Sequence, residues 1–192
     1  MRLDIRPLEL EGVLEIRPAR IDDDRGFFSE TWNAQTFEQA GLHLQFVQEN
    51  HSYSAARGVL RGLHYQLPPY GQDKLVRVAR GSIFDVAVDV RSDSPTFGQW
   101  CAVRVSAAEW NQMLVPKGFA HGFLTLEPDT EVIYKVTAPY SPSHERAIRF
   151  DDKDIGIAWP IDPSLLQLSE KDRNAPSLAD SEVFAAPREV TP

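Results

Sequence analysis

The run Val59 to Gln66, VLRGLHYQ, sets an imidazole and an amide, His64 and Gln66, two residues apart in a β-branched and apolar stretch. Side chains alternate along a strand, so His64 and Gln66 share one face and Leu63 and Tyr65 the other. Arg61 lies three residues before His64 and on an ideal strand points the opposite way. Gly62, between them, is where a bulge would re-aim one side chain and bring guanidinium and imidazole into one cavity. An imidazole, with an unperturbed pKa of about 6.5, serves as a general base or acid near neutrality. A lone strand histidine is more often a hydrogen-bonded wall residue, so the case for chemistry rests on what else the chain supplies.

A neutral imidazole base needs a partner that fixes its tautomer, and Asp172 in LSEKD is the candidate. Tyr134, in EVIYKV, is a phenol among apolar residues, and a buried phenol must find a partner or a ligand. A core tyrosine whose hydroxyl reaches the surface fits the same local sequence. Lys74 opens the strand-like KLVRVAR and could stabilise a developing oxyanion, or be an ordinary strand-end charge. Other chemistries lack their signatures: there is no GxGxxG or GxxxxGK[ST], no CxxC, no HExxH and no GxSxG.

Pro116, Gly118 and His121 in VPKGFAHGF form a PxGxxH pattern that resembles the second half-motif of the cupin superfamily of small β-barrels. A metal-binding cupin also offers HxH and a nearby Glu in its first half-motif. Here that place reads His64-x-Gln66 with no such Glu. One or two imidazoles fall short of the three or four ligands a first-row divalent ion usually takes. The pattern implies the barrel and no metal.

The elements that must position these groups are mostly strands. Short β-rich runs with turn signals between them extend from Val13 to Phe150, Phe27 to Trp32 and Ala147 to Phe150 among them, and predict a sandwich or barrel. KLVRVARGSIFDVAVDV predicts a hairpin turning at Arg80, Gly81 and Ser82. In its second arm Ile83, Asp85, Ala87 and Asp89 share a face that is either wet or lines something polar. A helix is predicted over Asn33 to Ala40, with Thr31 or Asn33 as N-cap and Gly41 as its stop, and a second helical stretch after Pro163. Residues 1–175 read as one domain and 176–192 as a tail, loosely attached or borrowed by a partner.

The 192 residues, 42% of them hydrophobic, suffice for one cored domain. A net charge of -8 and a pI near 5.1 argue against nucleic acid or an anionic membrane as partner. Cys101 is the single cysteine, so no intramolecular disulfide forms, and no window approaches the ~20 apolar residues of a membrane span. A cytoplasmic protein is expected.

Taken in order, DDRGFFSETW, QFVQENHSYS, GVLRGLHYQ, KLVRVARGSIFDVAVDVR, SPTFGQW, VPKGFAHGF, YKVTAPYSPSHE and LSEKD resemble the dTDP-4-dehydrorhamnose 3,5-epimerase family across nearly the whole chain. The resemblance implies an all-β, cupin-like jelly roll with a few short helices, a homodimer and no cofactor. It implies epimerisation at C3 and C5 of a dTDP-4-keto-6-deoxy sugar, with His64 as base, Asp172 as its orienting carboxylate, Tyr134 as proton donor and Lys74 at the enolate. It places substrate contacts at Arg25, Glu30, Gln48, Glu49, Asn50, Arg61, His121, Glu145 and Lys171, and thymine on Tyr140. Relatives with the same motifs that invert one carbon, and a binding module that holds a sugar nucleotide without turnover, remain alternatives. Tyr70 and Asp73 in YGQDKLVR depart from the family pattern beside Lys74. The N-terminal segment through Glu30 is the candidate for exchange between subunits.

Overall fold

Short β-rich runs build thirteen strands within the described residues, 2–185, of the computed structural model. A six-stranded sheet has the order β1 (Leu3–Pro7), β2 (Leu14–Pro18), β10 (Gln112–Val115), β7 (Lys74–Arg80), β12 (Thr130–Val136), β5 (Gln48–Ser54). A five-stranded sheet has the order β13 (Glu145–Ala147), β6 (Leu60–Gln66), β11 (Phe119–Thr125), β8 (Ser82–Asp89), β9 (Trp100–Ser106). Pairing within both sheets is antiparallel. The two faces that meet carry Val76 and Val78, Ile83 and Ala87, Met113 and Val115, and Phe119 and Phe123, all buried in one cluster. The result is an all-β jelly roll with two short α-helices, and among the described residues no helix is long and apolar enough to cross a membrane.

The KLVRV and IFDVAVDV arms do not form a hairpin. β7 pairs with β10 and β12, whereas β8 pairs with β11 and β9, so Arg80–Ser82 is a corner between the sheets. Gly81 turns it with φ +79, and a Cβ there would collide with Thr130. Both arms are apolar on the faces that meet, so each needs its own sheet. The face of Ile83, Asp85, Ala87 and Asp89 is therefore interior, and both acids are fully buried.

Other boundaries differ from expectation. β1 pairs with β2 where no strand was predicted, because LDIRP is too polar to signal one. Phe27–Trp32 contributes only the end of β4 (Gly26–Phe28), hairpinned to β3 (Ile21–Asp23), and Ala147–Phe150 only the last residue of β13. Helix α1 (Ala34–Gln39) is capped by Asn33, whose side chain accepts from Thr36 N, a contact worth ~1 kcal/mol. The stretch after Pro163 splits into a 3-10 turn (Pro163–Leu165) and α2 (Glu170–Arg173).

The first part of the expected tail is not loose. Leu178 and Phe184 join Ile148 and Ile155 in covering the outer face of the five-stranded sheet, where Leu63, Tyr65, Val86 and Val88 lie. The Tyr65 hydroxyl donates to Glu182 O at 2.6 Å, and Phe184 N donates to Val90 O at 2.9 Å. Residues 186–192 of that tail lie outside the described residues.

Candidate active site

Alternation along β6 puts Leu63 and Tyr65 under the C-terminal cover and turns His64 and Gln66 inward, toward the six-stranded sheet. The register of β6 against β11 shifts between His121 and Phe123, opposite Gly62, and this bulge brings Arg61 to the same cleft as His64. Gly62 has φ +137 and lies against β11, where a Cβ would sit 2.5 Å from Gly122 Cα. The cleft has two lobes, of about 310 and 270 Å³, and His64, Lys74 and Tyr134 line both. His64 comes from the five-stranded sheet, whereas Tyr134 of β12 and Lys74 of β7 come from the six-stranded one. Imidazole and phenol thus face the space between the sheets from opposite walls.

His64 Nε2 lies 2.6 Å from Asp172 Oδ1. Ser169 caps α2 by accepting from Asp172 N at 3.1 Å, which fixes the carboxylate in the first turn. Burial opposes the charge on Asp172, but the hydrogen bond and charge of His64, with help from Ser169 and Lys171, hold its pKa below the usual carboxylate value. An ionised carboxylate only accepts, so the shared proton sits on His64 Nε2, and the neutral ring that acts as a base has its lone pair on Nδ1.

Lys74 is buried and donates to His64 O at 3.1 Å. Burial lowers its pKa from 10.5 to about 8, against the charges of Asp85 and Glu145, which raise it. Burial also raises the Tyr134 phenol, partly offset by Arg61, so it holds its proton as a donor must. A second imidazole, His121, pairs with His64 across the β6–β11 ladder, and its Nε2 lies 2.7 Å from Asp85 Oδ1. Asp85 Oδ2 is buried without a hydrogen-bond partner among the described residues. With Nε2 of each imidazole on its own carboxylate, the described residues hold no group of three His, Cys, Asp or Glu side chains spaced for a metal ion.

Of the remaining predicted residues, Gln48, Asn50, Tyr140 and Glu145 line the first lobe, and Arg61, His121 and Lys171 the second. Lys171 Nζ lies 2.6 Å from Glu145 Oε1, and the Tyr140 hydroxyl donates to Glu145 Oε2 at 2.8 Å. Burial works against the Glu145 charge, but these two bonds and the charges of Lys171 and His64 lower its pKa overall.

Glu49 does not join them. It lies between Gln48 and Asn50 on β5, so alternation turns it to the outer face of the sheet, where it pairs with Lys135. Arg25 and Glu30 also lie away from this cleft. Arg25 sits on the β3–β4 hairpin with its side chain 90% exposed and pairs with Asp23 at 2.5 Å, while Glu30 accepts from Asn33 and Thr36.

Asp73 turns away from the ammonium of its neighbour Lys74. Its Oδ1 accepts from Lys117 N and its Oδ2 from the Thr137 hydroxyl, tying loop to strand end. Gln72 and Asp85 were not among the predicted site residues. An acid alternating with apolar residues in IFDVAVDV was the available signal for Asp85, and nothing local marked Gln72.

A carboxylate-backed imidazole, a phenol that holds its proton on the opposite wall and a buried ammonium lining the same cleft are the set of groups that carbon-acid isomerases use, carried here inside a jelly roll. The family model described as dTDP-4-dehydrorhamnose 3,5-epimerase matches residues 7–180. The dTDP-4-dehydrorhamnose 3,5-epimerase of Shigella flexneri is 48% identical over 95% of this chain and 99% of its own. The crystal structure of the Bacillus anthracis dTDP-4-dehydrorhamnose 3,5-epimerase, with TDP and PPi bound, superposes with a TM-score of 0.88 at 45% identity, covering 92% of this chain and 99% of its own. The Legionella pneumophila dTDP-6-deoxy-D-glucose-3,5-epimerase, in complex with dTDP-4-keto-L-rhamnose, gives 0.91 at 40% identity over 97% and 100%. The chain belongs to the dTDP-4-dehydrorhamnose 3,5-epimerase family.

Proposed function

We propose that the protein inverts C3 and C5 of dTDP-4-dehydro-6-deoxy-D-glucose to give dTDP-4-dehydro-L-rhamnose. The observation that carries this is the opposition of the His64–Asp172 pair and Tyr134 across one cleft, with Lys74 lining the same space. The C4 carbonyl acidifies the C–H bonds on both sides of it. His64 Nδ1 removes one of these protons, the charge moves to the C4 oxygen beside the Lys74 ammonium, and Tyr134 returns a proton to the other face. Once solvent has taken the proton from His64 and returned one to Tyr134, the same sequence at the second carbon inverts that centre too. Asp172 stabilises the imidazolium that forms. Each part matches a development of charge that this chemistry requires, and no residue has to change sheets between steps.

Arg61 supplies local positive charge for a diphosphate on a chain of net charge -8, with Lys171 beside it once it exchanges Glu145 for the ligand, and Tyr140, 54% exposed at the mouth, suits a planar base. The β3–β4 hairpin carries Ile21, Phe27 and Phe28 largely exposed beside Arg25. A homodimer in which this hairpin crosses to a second copy would cover that apolar surface and bring Arg25 and Glu30 to the partner's cleft. A buried free thiol at Cys101 suits a reducing, cytoplasmic setting.

Incubation with the keto sugar in heavy water tests the reaction by proton NMR. Loss of both the C3 and C5 proton signals is expected. Label at one carbon alone reduces the activity to that of a single-centre epimerase, and label at neither refutes it.

A further inference from the structure

Gln66 occupies the place where a metal-binding cupin would carry a second histidine, and neither the acid–base chemistry nor any ion pair uses it. It is 4% exposed in the wall of the first lobe. Its amide is turned to the loops that frame the mouth. Gln66 Nε2 donates to Tyr70 O at 2.7 Å and to Pro139 O at 3.2 Å, and Gln66 Oε1 accepts from Ser141 N at 2.7 Å. Both amide protons are thereby used.

The segment so held is the one that presents Tyr140, and in each of its four successive residues 138–141 one main-chain group meets a glutamine. Ala138 O accepts from Gln72 Nε2 at 2.8 Å, Pro139 O accepts from Gln66, Tyr140 N donates to Gln48 Oε1 at 3.0 Å, and Ser141 N donates to Gln66. The three side chains come from three different segments: β5, β6 and the loop after β6. A loop with its own helix or sheet ladder would not need them. This one has neither, and fixing its backbone on binding costs conformational entropy that a prearranged loop does not lose again.

We infer that Gln66 is a positioning residue: with Gln48 and Gln72 it holds residues 138–141 in place before substrate arrives, so that Tyr140 forms a ready platform for the planar base of a nucleotide. The inference rests on the proposed function for the role of Tyr140 and adds what makes that role effective. Gln66 acts through backbone it never shares with the reacting sugar, so its loss falls on affinity and not on the chemical step.

Calorimetric titration with two probes tests this, dTDP (base and diphosphate) and inorganic pyrophosphate (diphosphate alone). Gln66→Leu is expected to weaken dTDP roughly tenfold, about one net hydrogen bond plus the reordering of the loop, with pyrophosphate within twofold. KM for the sugar nucleotide should rise to match, with kcat within a few fold. Equal losses for both probes, or no loss for dTDP, overturn the inference. Should Gln66→Leu not fold, Gln66→Glu keeps the volume and the acceptor for Ser141 N but sets an oxygen against Tyr70 O and Pro139 O, and the same split is expected. Combined with Tyr140→Ala, Gln66→Leu should weaken dTDP no further than Tyr140→Ala alone, and additive losses overturn the inference. In the unliganded wild type, the amides of residues 140 and 141 should be protected from hydrogen exchange, whereas coil-like exchange overturns it. Wild-type protein that ignores both probes removes the functional reading, and the inference with it.

Discussion

Replacing Lys74 with methionine should make the protein more stable and nearly inactive. Burial lowers the Lys74 pKa from 10.5 to about 8, and at about 1.4 kcal/mol per unit the folded state loses ~3 kcal/mol by holding the ammonium where both folded and unfolded chains are protonated. Between pH 8 and 10.5 the unfolded chain binds more protons than the folded one, so wild-type stability rises with pH across that window, and the penalty is full only below pH 8. Methionine fills a similar volume without the charge. Leaving His64 O without its donor subtracts ~1 kcal/mol, for a net gain of about 2 kcal/mol at pH 7. In a chain of this length that is a rise in Tm of roughly 4–8 °C. The same ammonium about 4 Å from an enolate oxygen, at an effective dielectric constant near 20, is worth ~4 kcal/mol, so turnover should fall on the order of a thousandfold. Thermal unfolding of both proteins at pH 7 and pH 10, alongside turnover by NMR, reads both quantities. A stability gain that does not shrink at the higher pH, or turnover within tenfold of wild type, would refute the reasoning.

Wild-type kcat/KM should fall as pH rises through about 8, where Lys74 of the free protein loses its proton, and this limb should be absent from the residual activity of Lys74→Met. Asp172→Asn should cut turnover on the order of a hundredfold or more with binding largely kept, since an amide donor turned to His64 Nε2 favours the wrong tautomer; steady-state kinetics measure it. Tyr134→Phe should still wash deuterium into the sugar while net inversion stops, a split that NMR resolves. Gly62→Ala forces a Cβ toward Gly122 Cα at a positive φ and should cost more than ~2 kcal/mol by urea unfolding. The proposed homodimer is tested by sizing: wild type should run as a dimer and Phe28→Asp, on the exposed hairpin, as a monomer, and an unchanged dimer would remove that hairpin from the interface.

The strands that hold the site were legible because their signal is local. β6, β7, β11 and β12 each read as a short β-rich run between turn signals, and the glycine between Arg61 and His64 marked the bulge that brings both to one cleft. Sheet membership was less visible. A Gly between two β-rich arms signals a turn, but whether the arms pair or part depends on which faces must be buried, as β7 and β8 demonstrate. The approach of Asp172 to His64, 108 residues away in sequence, is set by the path of the C-terminal cover, to which no local pattern points. The resemblance named Glu49 with its neighbours, but strict alternation on β5 separates it from them, and that much the sequence itself could have told.

Because imidazole and phenol stand on different leaves of the sandwich, the gap between them is measured by the hydrophobic filling and not by the rim. Facing sheets rest about 10 Å apart where their side chains interdigitate, so what fills that layer sets how far apart the walls of the cleft stand. Val76 and Ala87, both buried in that filling, act as spacers of a caliper. The rim segments 67–73 and 137–144 can therefore drift toward other nucleotides or sugars while the jaws keep their opening, and a wedge such as Ala87→Phe, beside His121 on the β8–β11 ladder, would spread them.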